Sequence, residues 1–286
     1  MNIIDAHVHL FNPVARPDLP WPPVGSPLRR PSMPKDLRDA ASGFSLGGAV
    51  AIEASPRLAD TEDLLRLADS DPFLLGVVGN LRPDLDGFAA RLEAASSRFR
   101  FLGVRLRPIE SFNLRSPALI RNLAMLAAAG KSLELGAPQI EQLEALPTLL
   151  TRLPDIRFIL DHAGHPSINS DKVDDRWLKA IRAVARFPGS YCKISNLVRP
   201  VGAVRKSPDL AFYQSHLDAL WQGFGPERVI FGSNWPVCIE HGGYATQIQL
   251  LQDFLEGRDQ DAGLFFSANA CSAYRLKVSG SESSAG

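Results

Sequence analysis

Residues 4–10 read Ile4-Asp5-Ala6-His7-Val8-His9-Leu10. Two histidines stand two apart in an otherwise mainly apolar run. Side chains alternate between the faces of a β-strand, so His7 and His9 point the same way. Two imidazoles converging on one side of a buried strand suit a metal or an anionic substrate better than a core. Two more segments carry polar groups at the end of an apolar run. They are Asp161-His162-Ala163-Gly164-His165-Pro166 and Phe231-Gly232-Ser233-Asn234-Trp235-Pro236.

Working outward, eight short apolar runs occupy 3–9, 48–53, 73–80, 101–107, 131–135, 157–162, 190–197 and 228–234. Several are apolar on both faces, as strands covered by helices must be. Between them, 60–69, 117–129, 140–153, 174–187 and 208–224 carry apolar residues at helical spacing. Ser116-Pro117 and Ser207-Pro208 have the form of a helix N-cap followed by proline at the first helical position. Eight strand–helix alternations predict an α/β fold, a single (β/α)8 barrel over 1–278. Residues 12–34 hold eight prolines and Trp21. They read as a long ordered loop over the barrel mouth. The Ser/Gly-rich end, 279–286, reads as a disordered tail.

Composition narrows the function classes. Of 286 residues, 45% are hydrophobic and 22% charged, an ordinary globular balance. The 31 basic and 31 acidic residues cancel, so nothing predicts binding to nucleic acid or an anionic membrane. Three widely spaced cysteines without a CxxC pair predict neither a disulfide framework nor a structural zinc site. Cys192 and Cys238 read as small buried hydrophobes. No stretch approaches the roughly 20 apolar residues of a membrane span, and the start has Asp5 where a signal peptide needs a basic and apolar region. The expectation is a cytoplasmic protein.

Barrels of this kind place their chemistry at the carboxyl ends of the strands. His7 and His9 end the first strand, Glu53 the second and Asn80 the third. Arg105 and Arg107, again two apart, end the fourth. Glu134 lies late in the fifth, and His162 and His165 follow the sixth. Lys193, Ser195 and Asn196 lie on the seventh, with Arg199 just beyond. Asn234 and Trp235 end the eighth. Burying so many polar groups without partners is costly, so their recurrence at one rim marks a site. Glu53 and Glu134 read either as bases or as ion-pair partners of the arginines. Lys193 and Ser195 read as structural, and His216 and His241 as surface or loop residues.

His7-Val8-His9, Asp161-His162-Ala163-Gly164 and Gly232-Ser233-Asn234-Trp235-Pro236 together resemble the amidohydrolase superfamily, in particular its amidohydrolase 2 branch of sugar and pyrone-dicarboxylate lactonases. Gly103-Val104-Arg105, Cys192-Lys193-Ile194-Ser195 and Asn269-Ala270 fit the same pattern. The resemblance implies that His7, His9 and His162 occupy metal- or substrate-binding positions. It implies that Arg105 contacts the substrate's carbonyl or carboxylate. At Asn234 the family has an aspartate that binds metal or activates water. An amide is a poor metal ligand and accepts no proton near neutral pH. A zinc site of His7, His9, His162 and Asn234 would therefore be neutral and weak.

The resemblance implies lactone hydrolysis, for which a mechanism with no required cofactor can be built from these residues. Arg105, His7 and His9 would polarise the ring carbonyl. Glu53, His162 or Glu134 would serve as base, and Asn234 would orient water. Arg105, Arg107 and Arg199 suggest a substrate bearing a carboxylate. With Glu134, His165 and Trp235 they form the expected binding set. Asn234 keeps lactone isomerisation by an internal hydroxyl open as the alternative. A metal-dependent decarboxylase and a catalytically silent ligand-binding barrel are further readings.

Overall fold

The structure is a computed structural model, and it describes residues 2–107, 113–168, 172–198 and 209–276. Arg199 and the tail 279–286 lie outside the described residues.

Eight strands, β1 (Ile3–Val8), β2 (Leu46–Ile52), β3 (Leu74–Gly79), β4 (Phe101–Leu106), β5 (Ser132–Leu135), β6 (Arg157–Leu160), β7 (Ser190–Ile194) and β8 (Val229–Phe231), pair in parallel in chain order. The order closes on itself through a parallel bridge between Val8 and Trp235. His9 N donates to Trp235 O at 2.7 Å and Asn234 N to His7 O at 3.0 Å. A side chain reinforces this seam. Asp5 Oδ1 accepts from Ser233 N at 2.9 Å and His7 N at 3.1 Å. The chain is thus a single (β/α)8 barrel, as the alternation predicts.

Helices α1 (Pro34–Ala40), α2 (Leu58–Ser70), α3 (Phe88–Ser96), α4 (Pro117–Ala128), α5 (Ile140–Thr151), α6 (Asp175–Ala185), α7 (Leu210–Phe224) and α8 (Gly243–Phe254) lie between or after the strands. Their apolar stripes pack on Val8, Ala49, Val77, Val104, Leu133, Leu160, Ile194 and Phe231, the outward strand positions. Ser116 caps α4, its hydroxyl accepting from Leu119 N, with Pro117 at the first position. Ser207 and Pro208 lie outside the described residues; α7 is capped instead by Asp209, which accepts from Ala211 N at 3.0 Å. Among the described residues no helix is long and apolar enough to cross a membrane.

The barrel interior has two levels. The lower level is apolar: Ile4, Ala6, Val50, Ile52, Val78, Ile159 and Ile230 pack with Ala270, Ala273 and Tyr274 of a C-terminal helix, α9 (Asn269–Tyr274). Above it the inward positions become charged. β1 is not regular across this change. Its register against β2 shifts between Asp5 and Val8. Val8 joins the outward core while Ile4 and Ala6 join the inward one. The irregularity lets His7 and His9 follow Ala6 on the inward side.

The proline-rich segment has little regular structure, but Arg29 organises it. Its guanidinium donates to Leu19 O at 3.0 Å, Pro17 O at 2.7 Å and Pro22 O. This places Trp21 over the barrel, its ring 5.6 Å from that of His9.

Close strand approach requires glycine at 103. A Cβ there would fall 2.1 Å from Ser132 Oγ and 2.4 Å from Ser132 O. The second is backbone that cannot swing away, so Gly103→Ala is expected to destabilise the protein by about 1–3 kcal/mol. Chemical denaturation of the variant would show this; an unchanged midpoint would contradict the packing described.

Candidate active site

The charged level of the barrel centres on Asp161, which follows β6. Its Oδ2 accepts from Arg105 Nε at 2.8 Å. Its Oδ1 lies 3.1 Å from Lys193 Nζ and 3.4 Å from His7 Nδ1. Lys193 also donates to Glu134 Oε2 at 2.7 Å, and the other Glu134 oxygen accepts from the Tyr274 hydroxyl. Arg105 and Glu134 stand side by side as register partners on the neighbouring strands β4 and β5. Asp161, Lys193, Glu134 and His7 are fully buried.

This environment sets the protonation states. Burial alone would raise the Asp161 carboxyl, but Lys193, His7 and Arg105 hold it well below the usual carboxylate range. Burial pushes Glu134 up to about 7, against the pull of Lys193. Burial lowers His7 and His162 well below an ordinary imidazole. Burial, with Arg105 and Arg107 beside it, brings His9 to about 3. All three histidines are neutral near pH 7.

Hydrogen bonding assigns two tautomers. His9 Nδ1 lies 3.0 Å from Ile52 O, which can only accept. The proton is therefore on Nδ1, and Nε2 carries a lone pair. His162 Nε2 lies 3.4 Å from Arg105 Nη2, which can only donate. His162 Nδ1–H then donates to Ser195 Oγ at 2.8 Å.

Above the ionic level opens a pocket of about 240 Å³, lined by His9, Trp21, Ala54, Arg105, Arg107, Gly136 and Ala137. A Cβ at Gly136 would stand 2.7 Å from the Arg105 guanidinium, so glycine there makes room for that side chain. Arg107 Nε is shared by both Glu53 oxygens, at 2.7 and 2.9 Å. Arg105 Nη1 lies 3.6 Å from Glu53 Oε1. Asn234 is buried with φ of 59°, and among the described residues its Oδ1 has no hydrogen-bond partner.

The structure therefore gathers His7, His9, Glu53, Arg105, Arg107, Glu134, His162 and Asn234 at one end of the barrel. Trp235 contributes its backbone to the seam and buries its ring. His165 departs from the group: it is exposed and lines a separate cavity with Pro138 and Trp177. His216 is not at the surface. It is buried on α7 with its ring 5.8 Å from Trp177. Cys192 and Cys238 are buried, which pushes both thiols up, in keeping with small hydrophobes.

Sequence reasoning passed over Asp161 and Tyr274 as members of the cluster, and read Lys193, though placed at the rim, as structural. Asp161 stands directly before His162, so position alone could have nominated it as it did Lys193, one residue before the end of β7. Nothing local marks Tyr274. For a metal, His7, Asp161 and His162 offer ligand atoms within 4.8 Å of one another. Among the described residues His7 Nε2 has no hydrogen-bond partner. This set differs from the expected one, His7, His9, His162 and Asn234, by taking Asp161 and leaving out His9 and Asn234.

A (β/α)8 barrel with paired histidines on its first strand and a histidine after its sixth defines the amidohydrolase class of barrel. The amidohydrolase 2 family model matches residues 4–276, and the chain belongs to that family. An L-fucono-1,5-lactonase of Burkholderia ambifaria is 30% identical over 286 residues, covering 96% of this chain and 95% of the relative. One of Burkholderia multivorans is also 30% identical, covering 89% of each. An amidohydrolase from Burkholderia multivorans crystallised with bound zinc superposes with a TM-score of 0.86 at 27% identity, covering 97% of this chain and 100% of that one.

Removing one member of a buried ion cluster leaves the others uncompensated. Lys193→Met should cost about 3–5 kcal/mol, and adding Glu134→Gln should restore part of the loss. Equilibrium unfolding of both variants tests this; a double variant no more stable than the single one would show that the Lys193–Glu134 pair is not the source.

Proposed function

We propose that this protein hydrolyses a lactone, and that the pocket's own residues carry the reaction without a resident metal. The observation that carries the reading is the convergence of the His9 lone pair, Arg105 and Arg107 on one small pocket. The lactonase relatives support the reaction class.

The donor set argues against a firmly held divalent ion. Glu53, Glu134 and Asp161 are all engaged by Arg105, Arg107 and Lys193, and Glu134, raised to about 7, is only partly ionised, so the cations already match the carboxylates. The carboxylate nearest the histidines is occupied by a lysine and an arginine. A dication would add two uncompensated charges to a buried cluster. Asn234 supplies no anion in return.

The base follows by elimination. Both Glu53 oxygens are held by Arg107, and both Glu134 oxygens by Lys193 and Tyr274. His162 Nε2 faces the Arg105 guanidinium. Among the described residues, His9 Nε2 alone combines an open lone pair with a place in the pocket lining. It cannot donate, so polarising the carbonyl falls to Arg105, whose charge Asp161 and Glu53 sustain against burial. A water attacks the ring carbonyl carbon, and its proton passes to His9 Nε2. The tetrahedral oxyanion lies against Arg105. As the ring C–O bond breaks, His9 returns the proton to the departing oxygen, leaving a hydroxy acid. Asn234 Oδ1 accepts a hydrogen bond from the attacking water.

A substrate carboxylate seated on Arg107 would aid this step. The two arginines help depress His9, so an anion beside them makes His9 a better base. The reading therefore favours lactones bearing a carboxylate.

The first test is proton release by chelator-treated protein offered sugar, aldarate and carboxylated lactones, with L-fucono-1,5-lactone included. Turnover without metal supports the proposal. Activity lost on chelation and restored by zinc overturns its metal-free part, and silence across the panel overturns it whole. Asn234→Asp should raise hydrolysis by adding a carboxylate beside the water, or raise zinc affinity; an unchanged rate and unchanged zinc binding would remove Asn234 from the site. Because His9 stays neutral down to about 3, kcat/KM should be flat from about pH 5 to pH 8. A half-maximal point near 6.5 would indicate an unperturbed histidine instead, and His9→Gln should lower kcat/KM by about 10²–10⁴-fold.

A further inference from the structure

A second cavity, of about 440 Å³, adjoins the first and is the larger of the two. Trp21 and Ala54 wall both. Its lining is mostly apolar, with Phe11, Leu19, Trp21 and Met33 from the proline-rich side facing Leu64 and Leu67 of α2. The Trp21 ring packs edge-on to Phe11 at 5.1 Å and to His9 at 5.6 Å, so one side chain forms the partition. A volume in this range is typical of small-molecule sites, which combine an apolar lining with few polar groups.

The charged groups of the cavity are already matched. Arg16 pairs with Asp60 and Asp63, and Arg66 with Asp63. Two arginines and two aspartates balance in the lining, so a further charge of either sign would enter without an opposite charge to neutralise it. The polar and apolar halves thus divide one binding region. Arg105, Arg107 and His9 suit a lactone ring and an acidic group, and the space behind Trp21 suits something uncharged.

We propose that the second cavity receives an uncharged, largely apolar arm on the lactone ring, so that the substrate class is alkyl- or aryl-substituted lactones and not the bare sugar lactone. This rests on the lactonase reading and goes beyond it. The ring stays against Arg105, and the arm passes Trp21 at Ala54 to reach Leu64 and Leu67.

The test uses γ-lactones that keep a carboxylate on the ring and carry beside it a straight alkyl arm, from none to about eight carbons, with an arm ending in a second carboxylate as control. Two readings are taken: kcat/KM, and the rise in melting temperature on binding. Each methylene that enters the cavity should improve kcat/KM by about fourfold until the space is filled, and the terminal carboxylate should cancel the gain. Leu67→Trp, which fills the far end, should abolish the length dependence while leaving turnover of the armless lactone unchanged. Ser70→Phe, at the same cavity, provides a second blocking variant should the first fail to fold. Turnover that is indifferent to arm length overturns this inference and leaves the lactonase reading intact. If no lactone is turned over, that reading fails, and the cavity is judged by melting temperature alone. Stabilisation that grows with arm length and disappears on blocking supports the arm site, and its absence overturns it.

Discussion

The Asp161 carboxylate is the constraint around which the site is arranged. One buried anion holds Arg105 at one oxygen and approaches Lys193 and His7 at the other. Arg105 is thereby aimed at the pocket, and Lys193 is drawn down to Glu134 and Tyr274. Such a cluster is costly to desolvate, and well-packed apolar residues often do as well for stability. Its value lies in geometry: the ends of five strands and the C-terminal helix are fixed relative to one another by directional contacts that an apolar core would leave looser.

The same cluster governs the histidines. Imidazoles in water would titrate through the physiological range. Here burial and neighbouring cations keep all three neutral. A lone pair at His9 Nε2 is therefore permanently available, although as a weak base. Strong bases near these arginines are consumed by ion pairs, as Glu53 shows. The reaction class that suits such a site begins with an activated carbonyl, which an ester ring supplies and an ordinary amide does not.

Much of this was legible beforehand. The eight apolar runs coincide with the strands because parallel strands under helices are apolar on both faces, leaving the inward polar residues conspicuous. His7, His9, Arg105 and Asn234 stood out for that reason. Asp161 did not, and Lys193, noticed on the seventh strand, read only as structural, because their meaning depends on which strands meet across the interior. Lys193 finds Glu134 59 residues away and Tyr274 from a helix beneath the barrel. The inward turn of His7 after Ala6 also depends on a register shift that alternation cannot foresee. His216 was misplaced for a simpler reason. It occupies the buried stripe of α7 with Tyr213, Leu217, Leu220 and Phe224, and helical spacing read strictly would have put it inside.

The seam between β1 and β8 has a consequence for how the protein comes into being. Asp5 and Ser233 are joined across 228 positions of chain, and Asn234 is tied to His7 beside them. A chain emerging from synthesis can pair β1 with β2 early, since those contacts are near in sequence. It cannot complete the pocket until almost the last strand is made, because contacts so distant in sequence form only after a large loop is closed. Tyr274 adds a final condition from the C-terminal helix. The nascent molecule is therefore inert for nearly its whole synthesis, and ligand recognition begins only once the barrel has closed.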